Sequence, residues 1–186
     1  NCTSLTHISF GYSFNCPLAN SLHNCIALTH LVFDFCFNQP LGNALNNCTA
    51  LTILVFGYKF NQSVSENLNN CPSLVHLGFG NDFTQRDVIP NNIKSLSLYS
   101  NNKCCIDYLP DTIEELELGL NFNLDLCNCP SSIKKIIFQK ESGYDKELNC
   151  LPRGLTILQL PSRYTLQIEN IPSTLTKLIC SKNYPY

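Results

Sequence analysis

The side chains with chemistry to offer are twelve Cys, four His and fourteen carboxylates in a chain of 186 residues. Imidazoles and thiolates in such numbers could hold zinc, or build a Cys–His or Ser–His nucleophile. Their spacing argues against both. Cys104-Cys105 and Cys127-x-Cys129 lack the C-x-x-C interval of zinc motifs. No H-E-x-x-H, G-x-S-x-G or P-loop string occurs. All four His precede position 77 and most carboxylates follow position 110, so an imidazole–carboxylate constellation is hard to assemble. Asp34, near His30, is the closest exception and carries no catalytic weight. The chain therefore reads as non-enzymatic, with no catalytic residue, cofactor or metal.

Whatever these residues do, a repeat must position them. Asn1-Cys2-Thr3-Ser4-Leu5 recurs at Asn24, Asn47 and Asn70, at intervals of 23 residues. Behind each start stands one phrase: Leu5-Thr6-His7-Ile8-Ser9-Phe10, then Leu28 to Phe33, Leu51 to Phe56 and Leu74 to Phe79. A second signature follows at Phe14-Asn15, Phe37-Asn38, Phe60-Asn61 and Phe83-Thr84. The phrase continues from Ile93, Ile113, Ile133, Leu155 and Leu175, at spacings of 19, 20, 20, 22 and 20 counted from Leu74. In these later copies Pro90, Pro110, Pro130, Pro152 and Pro172 fill the slot held earlier by Cys2, Cys25, Cys48 and Cys71. The chain divides into four coils of the Asn-Cys type (1–89) and five of the proline-led type (90–186), read as one solenoid over 1–186.

L-x-x-L-x-F puts the second and third apolar residues two apart, the period of a strand with one buried face. One strand per coil cannot bury that face alone, whereas stacked coils can, about 4.8 Å apart in a parallel sheet. The expected fold is a leucine-rich-repeat-like solenoid of about nine coils. Its parallel sheet lies on the concave face, with short turns, 3₁₀ segments or helical turns, as at Ser65 to Asn69, on the convex side.

These residues carry a family likeness. The L-x-x-L-x-F/L core resembles leucine-rich repeats. Leu28 to Phe33 followed by Phe37-Asn38-Gln39-Pro40-Leu41 looks more narrowly like the FNIP repeat of social amoebae and giant viruses of amoebae. Leu51 to Phe56 with Phe60-Asn61-Gln62, and Phe14-Asn15-Cys16-Pro17-Leu18, are further copies. The proline-led coils are similar to the short proline-led repeats of bacterial effector leucine-rich proteins and also fit degenerate FNIP copies, and F-N replaces the usual L-x-x-N-x-L. The resemblance implies a binding scaffold and brings no catalytic residue with it. Relatives that add an F-box differ from this chain, which shows none.

Strand positions 2, 3 and 5 should face away from the core and supply any partner surface. The candidates are His7, His30, Ile53 and His76 in the first half. In the second they are Lys94, Glu114, Glu115, Glu117, Lys134, Lys135 and Lys177. Ten basic and ten acidic residues lie after position 90, against two and four before it. Lys94, Glu114 and Lys134 share one position in consecutive coils, which should pair opposite charges across strands. His7 and His30 are adjacent; Ile53 breaks the row before His76, and two imidazoles make a poor zinc site. Cys2, Cys25, Cys48 and Cys71 stack in register within disulfide reach of one another, so disulfides stay an alternative. They better fit small apolar slots as free thiols, and packing also suits Cys129 and Cys180, which replace Leu, Ile or Phe of other coils. Asn15, Asn38 and Asn61 should form a ladder bonded to turn backbone of adjacent coils, and Asn24, Asn47 and Asn70 another. The glycosylation triplets at Asn1, Asn47 and Asn61 are by-products of an Asn-rich repeat.

With 44% hydrophobic residues the chain can form a core, and its net charge of −2 gives no field for nucleic acid or an anionic membrane. No apolar run approaches a membrane span, and no signal peptide opens the chain. A start at Asn1 with no Met anywhere suggests a processed product or a piece of something longer. The expected partner is a protein of unstated identity, with end-to-end self-association or further repeats beyond the termini as a second mode. The expected setting is intracellular (cytoplasmic) or virion rather than secreted. The alternative function is a structural, virion or assembly component built from the same solenoid.

Overall fold

The computed structural model describes residues 2–86, 89–101 and 106–186. Asn1, Cys104 and Cys105 of the sequence reading lie outside them. Within the described residues the repeated phrase forms nine short strands. They are β1 (His7–Phe10), β2 (His30–Phe33), β3 (Ile53–Val55), β4 (His76–Phe79), β5 (Ser95–Leu98), β6 (Glu115–Leu118), β7 (Lys135–Phe138), β8 (Ile157–Gln159) and β9 (Lys177–Ile179). They pair in chain order into one parallel sheet. The register follows the repeat: His7 faces His30, His30 faces Ile53, Ile53 faces His76, and the row continues through Ser95, Glu115, Lys135, Ile157 and Lys177.

One turn enters every strand. The N–H of the first apolar residue donates to the carbonyl three residues back: Leu28 to Cys25, Leu51 to Cys48 and Leu74 to Cys71, then Ile93 to Pro90, Ile113 to Pro110 and Leu155 to Pro152. The slot needs only a carbonyl, so Pro is tolerated there. The two coil types differ in what precedes it. Cys25, Cys48 and Cys71 also use their own N–H, on Leu22, Leu45 and Leu68, to close an extra turn. Proline has no N–H for that bond. The difference between 23 and about 20 residues thus amounts to one three-residue turn. The third coil spends its extra length on a short helix, α1 (Ser65–Leu68), where the sequence allowed a helical turn.

The core is a continuous column. Strand residues Leu31, Leu54, Leu77, Leu96, Leu116, Ile136 and Leu158 are buried throughout. Beside them run two rows of rings, Phe10–Phe33–Phe56–Phe79 and Phe14–Phe37–Phe60–Phe83, stacked nearly parallel. Ring spacing also reports curvature. Imidazoles of His7 and His30 on the open face of the sheet are 4.0 Å apart. Rings at the strand ends are separated by 5.2 to 5.8 Å, and the deeper row by 5.8 to 6.4 Å. The coils fan apart away from the open face, which makes that face the concave one.

The asparagine ladder forms as the repeat implies. Asn15 Oδ1 accepts from the Asn38 N–H at 2.8 Å, and Asn38 Oδ1 from the Asn61 N–H at 2.9 Å. Asn61 Oδ1 accepts from the Thr84 N–H at 2.9 Å. It reappears at Asn101, Asn123 and Asp145, since F-N recurs as Phe122-Asn123. The second expected ladder is irregular: Asn47 donates to the His23 carbonyl, and Asn70 to the Asn46 side chain.

The cysteines divide. Cys25, Cys48 and Cys71 are buried free thiols, as their stacking implied. Burial pushes the Cys48 thiol up to about 11 and Cys71 up to about 12, each further raised by the neighbouring Cys. Thiolate, the reactive form, is scarce there at neutral pH. Cys127 departs from the free-thiol expectation: it forms a disulfide with Cys150, 23 residues on, with Cα atoms 4.8 Å apart. Coil stacking puts two exposed positions of consecutive coils within disulfide reach.

Candidate concave recognition surface

The open face carries three rows, one from each outward position. The first runs Thr6, Thr29, Thr52, Val75, Lys94, Glu114, Lys134, Thr156 and Thr176. Threonine here is partly structural: Thr29 Oγ1 donates to the Thr6 carbonyl and Thr52 Oγ1 to the Thr29 carbonyl, at 3.0 Å each. Where the row turns charged, the expected pairs form. Lys134 Nζ lies 2.7 Å from Glu114 Oε2, and Lys94 Nζ lies 3.8 Å from Glu114 Oε1. The Lys134 hydrogen bond, with the charges of Lys134 and Lys94, holds the Glu114 carboxyl below its usual range. In the next row Lys135 Nζ lies 3.0 Å from Glu115 Oε2. These three pairs lie at the solvent-facing surface, and such pairs add little to stability.

The middle row holds the histidines. His7 and His30 stack, and each Nδ1 lies 2.9 Å from the hydroxyl of the preceding threonine. Thr29 gives its only proton to Thr6, so His30 Nδ1 must be the donor to Thr29 Oγ1. Ile53 separates this pair from His76, as its register requires.

His76 has a setting that the linear sequence hides. Its Nδ1 lies 2.9 Å from Ser95 Oγ on the adjacent strand. Burial lowers its pKa, and the charges of Glu117 and Glu115 work in the opposite direction. Stacking therefore does bring imidazole near carboxylates that are some forty positions away. The order across the sheet is imidazole, serine, carboxylate. Nucleophile chemistry needs the imidazole in the middle, oriented from behind. Instead Glu117 accepts from Ser97 Oγ at 3.2 Å and from the Tyr99 hydroxyl at 3.1 Å, and burial with this carboxylate pushes the Tyr99 pKa up to about 12. The network fixes polar groups on the face without a relay. Among the described residues no group of three or more His, Cys, Asp or Glu side chains is placed to hold a metal ion.

Of the expected surface residues, His7, Lys94, Glu115, Lys134 and Lys177 are exposed, while His30, Ile53, His76, Glu114, Glu117 and Lys135 are half-buried. Gly78 and Ser97 share an outward position yet are buried. The sequence reading overlooked a row just past the strands. Tyr12, Phe35 and Tyr58 stack with centroids 4.8 and 4.7 Å apart, and Lys59 Nζ sits 5.7 Å from the Phe35 centroid. Its signal was present: all three lie two residues after the strand's last Phe, at the 23-residue interval.

The FNIP Repeat family model matches residues 81–121. This match falls on the fourth to sixth coils, whereas the quoted resemblance rested on the first three. Among solved structures, the crystal structure of the giant-virus protein CroV588, a novel circular LRR protein structure, is similar at 28% sequence identity and a TM-score of 0.71. The likeness covers 98% of this chain and 28% of the CroV588 chain, so the chain spans under a third of its neighbour's length. No curated protein matches the chain significantly. No helix among the described residues is long and apolar enough to cross a membrane. The described residues form a leucine-rich-repeat-type solenoid of nine parallel strands, and residues 81–121 match the FNIP Repeat model.

Proposed function

We propose that the chain is a non-enzymatic interaction scaffold that binds a protein partner on the concave face of its sheet. One observation carries this reading: a constant Leu/Phe core supports nine strands whose outward rows change from Thr and His at β1–β2 to alternating Lys and Glu at β5–β7. A recognition surface needs that division between invariant support and variable display. FNIP and leucine-rich-repeat solenoids are typically non-enzymatic, in keeping with it. The test is affinity capture from the native source with wild-type chain and with the double charge swap Glu115→Lys, Lys135→Glu. The swap keeps the ion pair and inverts the pattern, so the captured partner should be lost while the melting temperature holds. Equal capture by both proteins would remove the concave face from the reading.

A second reading, an assembly component, has its own observation. Core-type residues of the first and last coils are uncovered: Leu5 and Leu178 are each 38% exposed, against near zero for their equivalents inside. A further coil, from another copy or from more chain, would cover them. CroV588 is circular, and ring closure is one way to leave no end coil bare. Sedimentation should then show concentration-dependent association that Leu5→Asp weakens; a monomer at every concentration counts against it.

A further inference from the structure

The ladder Tyr12–Phe35–Tyr58 stops abruptly. The next rung is Asn81, the one after it is the buried Ser100, and an exposed aliphatic residue, Leu120, follows. Among the described residues no ring stacks on Tyr58 from the far side, and a cavity of about 280 Å³ lies there. Its walls include Tyr58, Leu120 and Tyr99, and Asn81, Asn121 and Gln139 add polar groups. Gly57 and Gly80 also line it. A Cβ on Gly57 would overlap the Asp34 carbonyl, and one on Gly80 the Gly57 carbonyl, so these two coils pack down on their neighbours where a side chain is missing.

We propose that this cavity receives an aromatic side chain of the partner protein, which stacks on Tyr58 as the fourth ring of the ladder. Three features select that occupant. The coil repeat already sets ring planes 4.7 to 4.8 Å apart and 12° to 13° from parallel, so the next plane is predefined. The volume falls just below the roughly 300–1,000 Å³ of drug-sized ligand sites and suits one side chain. Apolar walls with a few amides fit a residue whose ring is apolar and whose edge carries an N–H or O–H, as in Trp and Tyr. Asn81 and Asn121 are hydrogen-bonded to each other across the cavity's edge and so present fixed amides.

This inference deepens the interaction-scaffold reading and rests on it for the nature of the partner, yet its test needs no partner. The chain has no Trp, so indole emission reports only on an added probe. N-acetyltryptophanamide titrated against the full chain should show saturable quenching or a blue shift, with amide shift changes at Gly57, Gly80 and Asn81. N-acetylleucinamide should not compete. Tyr58→Ala removes the stacking wall, and Asn81→Phe supplies the missing rung from the chain itself. Each should weaken the probe about five- to tenfold, while Tyr12→Ala at the far end of the ladder leaves it unchanged. All three positions are at least partly exposed, and circular dichroism confirms that each variant folds. Absence of saturable binding, or binding untouched by both Tyr58→Ala and Asn81→Phe, overturns the proposal. Probe binding combined with indifference of partner capture to the concave charge swap would leave the cavity standing and the concave-face reading fallen.

Discussion

A single asparagine shows what each rung contributes. Asn38 Oδ1 accepts from the Asn61 N–H and from Gln62 Nε2, while its own N–H reaches Asn15. Asn38→Ala strands a backbone donor in a half-buried turn, and urea unfolding should show a loss of about 1–3 kcal/mol. Asn38→Asp keeps the acceptor and should lose much less. Two tyrosines make a contrasting pair. The buried Tyr144 hydroxyl has no hydrogen-bond partner among the described residues, whereas Tyr164 donates to the Lys146 carbonyl at 3.1 Å. Tyr144→Phe should therefore hold or raise the unfolding free energy measured in urea, and Tyr164→Phe should lower it by about 1 kcal/mol. His76 supplies a pH signature. Its folded pKa lies below the unfolded value, so the unfolded chain binds the extra proton and stability rises with pH. The contribution is complete above the unfolded value of about 6.5 and falls away as pH drops below it. Unfolding midpoints between about pH 5 and 7.5 should slope upward in the wild type, and His76→Gln should flatten the slope. Lack of any change in slope would mean that His76 is solvated in solution.

At the scale of the coil, ring stacks and turns divide the work. Phe56 lies between Phe33 and Phe79 along one row and 3.8 Å from Phe60 in the other. Phe56→Ala opens a void that three coils share, and should cost about 3–5 kcal/mol by denaturant titration. The Cys127–Cys150 bond ties consecutive coils of the proline-led half. Reduction should lower stability by about 2–4 kcal/mol and raise the thiol count in denaturant by the two sulfurs of that bond; an unchanged count would dissolve the pairing. Much of this was legible beforehand. Strand phrases, register, the Lys94–Glu114–Lys134 alternation and the Asn15–Asn38–Asn61 ladder all follow once the period is seen, because stacking turns sequence interval into spatial neighbourhood. What escaped needed two different coil positions to meet, or a side chain to cross several coils. Cys127 and Cys150 are 23 apart in a half whose coils run nearer 20, so phrase alignment never matched them. His76 and Ser95 share a register, but a histidine–serine contact is invisible until the 19-residue spacing is trusted.

Along the whole molecule each strand touches only its sequence neighbours, so stability should decline toward the ends, where one neighbour is missing. The burial of β1 and β9 already shows it: both expose residues that are sealed in β2 to β8. Amide exchange should be slowest in β3 to β7 and fastest in β1 and β9; uniform protection would point to covered ends in solution. The prospect of reading a partner from sequence also failed at this scale. The cavity beyond Tyr58 exists because residues at one rung are small, an absence that no motif announces. The Asn121–Asn81 hydrogen bond departs from the nearest-neighbour pattern and reaches over the intervening coil. It sits where the repeat interval falls from 23 to 19 and 20 residues. In mechanical terms the solenoid is a spring of two pitches, and this bond braces the splice between them. Pulled from its ends, the chain should lengthen first within either half, with the splice yielding last.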